Sequence, residues 1–85
     1  MIKNFILSDS IQKRILEYVR KQKQDDIESE YQMYWEDVWD KAIEDVSKAT
    51  TSQDVIQILC AKDFFIKENV EELLNVLHQE EKLGI

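Results

Sequence analysis

An all-α fold is what this sequence predicts, on three observations. Proline is absent and the single glycine, Gly84, stands next to the end, whereas sheet proteins punctuate their hairpins with these residues. Apolar side chains recur at spacings of three and four through most of the chain. Residues able to cap a helix stand ahead of the periodic runs. At 85 residues the chain makes one domain, residues 1–85. The expected architecture is a small four-helix bundle, with a long second helix as the central element and shorter helices three and four.

Residues 1–7 hold Ile2, Phe5, Ile6 and Leu7 without a helical period, an apolar arm expected to pack on the body or on a neighbouring molecule. Asp9 with Gln12 three places on has the form of a capping box, and Ile11, Ile15, Tyr18 and Val19 follow at helical spacing. A first helix is therefore expected from about Ser10 to Gln22. Neither proline nor glycine stops it there, but phase does. Continued through Ile27, Tyr31 and Trp35, the apolar stripe would move to the opposite side of the helix. A break near Gln24 restores one core, with Asp25 and Glu28 as the next cap. The alternative is a single unbroken helix with two apolar faces, which would need an oligomer to bury both.

The second helix is expected over about Asp26 to Ala49. Ile27, Tyr31, Tyr34, Trp35, Val38, Ala42, Val46 and Ala49 keep helical spacing, and Trp39 and Ile43 widen the stripe. Four of the eight aromatic residues lie between Tyr31 and Trp39. Most of this arc is core, yet it is wider than one neighbouring helix covers, so an edge such as Trp39 or Tyr34 is expected at a partner surface. Thr50, Thr51 and Ser52 interrupt the pattern, and Thr51 with Asp54 caps a short third helix carrying Val55, Ile56, Ile58 and Leu59 to about Ala61. Phe64, Phe65 and Ile66 form a bulky connector. Asn69 with Glu72 then caps a fourth helix through about Lys82, with Val70, Leu73, Leu74 and Leu77 inward and Gly84 at its stop.

The chemical inventory argues against an enzyme. One histidine, His78, and one cysteine, Cys60, supply neither an acid-base set nor the four ligands of a structural zinc site. A lone glycine excludes a phosphate-binding loop, and no EF-hand motif occurs. No cofactor and no metal are expected. One cysteine forms no internal disulfide, and no signal or apolar run of about 18 residues is present, so a cytoplasmic setting without a membrane partner is expected.

Charge is the informative feature. The net value is −7, but residues 1–24 hold six cations against two acids, while residues 25–49 hold nine acids against two lysines. This balance repels phosphate, so nucleic acid is an unlikely partner and a basic protein surface a better one. On the expected second helix Asp26, Glu30, Met33, Asp37, Asp40 and Glu44 follow steps of four and three, one line of carboxylates about 27 Å long. A nearly single-signed row is costly unless a basic partner compensates it. Met33 within the row supplies an adaptable apolar contact. The basic side of helix one, with Lys13, Arg14, Arg20 and Lys21, either neutralises part of that row or faces outward.

Residues 51–85 resemble the last two helices of a winged-helix domain, through the stretch Ser52 to Ala61, the turn through Lys67 and the helix Val70 to His78. The resemblance implies a helix-turn-helix fold. It departs where DNA readers need cations, since Glu71, Glu72, Asn75 and Gln79 hold the exposed positions of the second helix.

The function expected is that of a non-catalytic acidic binding protein. It would block or neutralise a basic surface on a protein target, in the manner of inhibitors, immunity proteins, antitoxins or nucleic-acid mimics. Asp26, Glu30, Met33, Asp37, Asp40, Glu44 and Trp39 are the expected contacts. A dimeric, nucleic-acid-associated regulator of helix-turn-helix or winged-helix-like type, or a structural subunit that forms a homodimer or higher oligomer, are the alternatives.

Overall fold

The computed structural model describes residues 3–61 and 65–84. Ile2 and Phe64, which the sequence assigns to the arm and the connector, lie outside the described residues. Within them the chain is all-α, with four helices in the order α1 (Asp9–Glu28), α2 (Glu36–Lys48), α3 (Ser52–Cys60) and α4 (Lys67–Lys82). Each helix packs on its neighbours in the chain, and α1 closes against α4. The result is an elongated helical bundle of 40 × 22 × 22 Å.

The core takes one stripe from each helix: Ile11, Ile15 and Val19, then Trp39, Ala42 and Val46, then Val55, Ile56 and Leu59, then Val70, Leu74 and Leu77. Full burial of such side chains contributes roughly 1.5–3 kcal/mol each.

The long central second helix is corrected: α1 has 20 residues and α2 only 13. The inward face of α1 does not end at Val19. Steps of three and four from Val19 lead to Gln22 and Asp26, both partly buried, so the face continues in polar residues that apolar periodicity does not register. The break falls instead at Ser29, and the chain turns through residues 29–35 before α2. Within this turn Ser29 Oγ accepts from the Tyr31 amide at 3.1 Å, and the Gln32 side chain donates to the Tyr34 carbonyl at 2.8 Å.

Two further caps differ from expectation. Ser8, not Asp9, caps α1, its hydroxyl accepting from the Ile11 amide at 3.2 Å. That releases Gln12, whose side-chain amide donates to the carbonyls of Val46, Ser47 and Ala49 at 3.1, 2.9 and 3.0 Å and so closes the C-terminal end of α2. At α4 the helix begins one turn early, with Ile66 at the cap and no side-chain bond there. The Thr51–Asp54 capping box of α3 is present as the sequence predicts.

Gln12→Ala should cost about 1 kcal/mol. Gln12→Glu should cost more at neutral pH, because it sets a carboxylate against unpaired carbonyls at the negative pole of α2. Urea melts of both variants at pH 7 and pH 4 check this: only the glutamate variant should recover on acidification.

The arm is tied down. Ile6 pairs with Thr51 in an isolated antiparallel bridge, with Leu7 N–H donating to Thr50 O at 2.9 Å and Ser52 N–H to Phe5 O at 2.8 Å. Phe5 then stacks on His78 of α4, ring centroids 4.0 Å apart and planes 10° from parallel. Ser8 donates to Glu81, and Arg14 pairs with Glu80, so the arm and α1 are also linked to α4.

Candidate contact surface at the turn between α1 and α2

The carboxylate row does not lie on one helix. Asp26 belongs to the last turns of α1, Glu30 and Met33 to the turn, and Asp37, Asp40 and Glu44 to α2.

Asp26 faces inward rather than toward a partner. Its Oδ1 accepts from the Met33 amide at 2.8 Å; its Oδ2 accepts from the Tyr34 amide at 3.1 Å and from the Trp39 indole N–H at 2.8 Å. Partial desolvation by itself would raise its pKa. The bonds from the Met33 amide, the Trp39 indole and the Tyr34 amide outweigh that, and the carboxyl is held below the usual aspartate value. This single side chain thus fixes the turn against both helices.

Trp39 is corrected likewise: it is 4% exposed and belongs to the core. Its ring meets Tyr34 edge-on at 5.9 Å and 89°, and Phe65 at 6.1 Å and 77°.

Of the remaining acids, Asp40 and Glu36 share Lys23, at 2.6 and 3.5 Å. The bond to Asp40 leads the causes that hold the Lys23 ammonium above its ordinary value. Glu44 pairs with Lys48 at 3.0 Å and Asp45 with Lys41 at 3.1 Å, each one helical turn apart. Asp40 and Glu44 of the row are therefore neutralised within the molecule, as acids on a solvated helix face commonly are. Among the described residues Glu30 and Asp37 have no ion-pair partner.

The exposed feature is apolar. Tyr31, Met33 and Trp35 are 80, 76 and 79% exposed, three large side chains within five residues on a turn held by Asp26. Trp35 is the N-cap of α2 and makes no capping bond. That position favours Ser, Thr, Asp or Asn, whose side chains satisfy a free amide. A tryptophan there serves neither the cap nor the core. Sequence reasoning had the signal available: Glu36 and Asp37, directly after Trp35, are the acidic first turn of a new helix. Around these side chains the charge has one sign, since from Gln24 to Asp40 the chain has seven acids and no base.

The thiol of Cys60 is pushed up by burial, opposite to what a nucleophile needs. His78 stacks on Phe5. Among the described residues no group of acids, His and Cys could hold a metal ion, and no helix is long and apolar enough to cross a membrane. Comparison with models of known families, with curated proteins and with solved structures found no match.

Proposed function

We propose that this chain is a non-catalytic acidic binding protein that docks on a basic surface of a protein partner through the turn between α1 and α2. One observation carries the reading: Tyr31, Met33 and Trp35 project from a turn that Asp26 fixes in place, within a stretch of unbroken negative charge. Tyrosine, tryptophan and methionine are the residue types enriched in interface centres. The surrounding acids, with Glu30 and Asp37 foremost, would orient a cationic partner and speed its approach. The site keeps Glu30, Met33 and Asp37 from the acidic row and exchanges Trp39 for Trp35.

Trp35 gives the test two independent readouts. Trp35→Ser installs a capping side chain, so the variant should gain about 1 kcal/mol of stability. It should also lose most of its retention on immobilised Lys- and Arg-rich peptides, while Asp- and Glu-rich peptides are retained by neither protein. A stabilised variant that keeps full retention would overturn the reading. Raising salt should slow association more than it weakens the bound state if the aromatic side chains are the anchor.

A further inference from the structure

The N-terminal arm leaves one backbone edge open. Leu7 N–H donates to the Thr50 carbonyl and Phe5 C=O accepts from the Ser52 amide, one bond on either side of the Ile6–Thr51 bridge. In an antiparallel ladder this makes Ile6 and Thr51 a non-hydrogen-bonded pair, so the N–H and C=O of Ile6 point away from Thr51. Neither group has a hydrogen bond among the described residues. Ile6 is 81% exposed, while Phe5 and Leu7 beside it are partly buried. An edge of this kind is a template for a further strand.

We infer that a second copy of this chain pairs with that edge, arm against arm about a twofold axis between the two Ile6 residues. Residues that face each other in a hydrogen-bonded antiparallel pair exchange both bonds. Each copy's Ile6 N–H then donates to the other's Ile6 C=O, and two β-branched side chains meet on the exposed face. Counting outward from the axis, Phe5 faces Leu7, Asn4 faces Ser8 and Lys3 faces Asp9 of the other copy. Charge favours this arrangement. Lys3 and Asp9 are exposed and have no ion-pair partner among the described residues. Antiparallel pairing sets them against each other at both ends, whereas parallel pairing would set like against like. A contact of so few residues is smaller than a standard interface, and the net charge of −7 opposes it, so the dimer is weak, with Kd on the order of 0.1–1 mM. The arm stands at the N-terminal end of α1 and the turn bearing Tyr31, Met33 and Trp35 at its C-terminal end, so this pairing is independent of the basic-partner reading.

The test is sedimentation equilibrium of the full chain up to about 2 mM, with the backbone amide resonances followed over the same range. The parent should dimerise, and its Ile6 amide should shift as concentration rises. Ile6→Pro removes the outward N–H and keeps both bonds to the α2–α3 junction. It should weaken the dimer roughly tenfold while the Leu7 and Ser52 amides stay protected from exchange. Lys3→Glu and Asp9→Lys should each weaken it by a similar factor, because each variant alone sets like charges together at both ends. An equimolar mixture of these two should dimerise as the parent does, since both ends are again unlike. A chain that stays monomeric throughout, a dimer indifferent to Ile6→Pro, or a mixture no better than either charge variant alone would overturn the pairing. A dimer that dissolves with Trp35→Ser would overturn it too, by placing the contact at the turn.

Discussion

Asp26→Ala should destabilise the protein by about 3 kcal/mol, the loss expected when charge-assisted bonds are removed and a buried indole N–H is left without an acceptor. This side chain receives donors from the turn and from α2 together: the Met33 and Tyr34 amides and the Trp39 indole all end on its carboxylate. Asp26→Asn keeps the shape but presents an NH₂ group to one set of donors, so it should recover only part of the loss. A double-mutant cycle isolates the indole bond. In a Trp39→Phe background the cost of Asp26→Ala should shrink by about 1 kcal/mol, because one orphaned donor is no longer present.

The same residue sets an acid-side dependence. Its carboxyl is held below the ordinary value in the folded chain. It therefore contributes stability that is fully present above the unfolded value, near 4, and is lost as the pH falls through the folded value. The difference in Tm between the parent and Asp26→Asn should stay constant from about pH 8 to pH 5 and narrow below about pH 4. A difference unchanged down to pH 2 would mean that the ionised form is not what the amides and the indole prefer. Binding should suffer as well, since the turn that presents Tyr31, Met33 and Trp35 would lose its anchor.

Ser52→Ala carries the second large effect, about 2 kcal/mol. Ser52 is fully buried, its hydroxyl donating to Asn4 Oδ1 at 3.0 Å and accepting from the Phe5 amide at 2.9 Å. Alanine leaves the Phe5 amide without its partner and loosens the arm at the α2–α3 junction. Hydrogen exchange locates the loss: the Leu7, Ser52 and Gln53 amides, which bond across this junction, should lose protection. Those of Ile15 and Val19, deep in α1, should change only by the global amount. The stacking of Phe5 on His78 gives a second readout in the ring proton shifts of His78. The turn between α1 and α2 should be untouched, so binding of basic peptides should persist.

The helix class was legible in the sequence because it rests on local properties. Absence of proline, a lone terminal glycine and the spacing of Ile11, Ile15 and Val19, or of Val70, Leu74 and Leu77, are enough to specify helices. The capping box of Thr51 and Asp54 was legible for the same reason, as donor and acceptor lie within four residues. The site was not. A charge pattern specifies which residues would share a face if a helix ran through them, and the row from Asp26 to Glu44 assumed a helix that stops at Glu28 and restarts at Glu36.

Three decisions belong to the tertiary structure alone. It turns Asp26 inward, because only a neighbouring turn and helix can supply three donors. It buries Trp39 and leaves Trp35 exposed, because the packing of α2 on α1 and α3 selects one face from an arc of aromatics that all look apolar in the sequence. It cancels Asp40 with Lys23, 17 residues away, through a contact no local spacing contains. The sequence by itself determined that the chain is helical, acidic and rich in aromatics around residues 31–39. The tertiary structure decided which carboxylates are spent on the fold and which large side chains stay exposed, since that choice is made by contacts between elements.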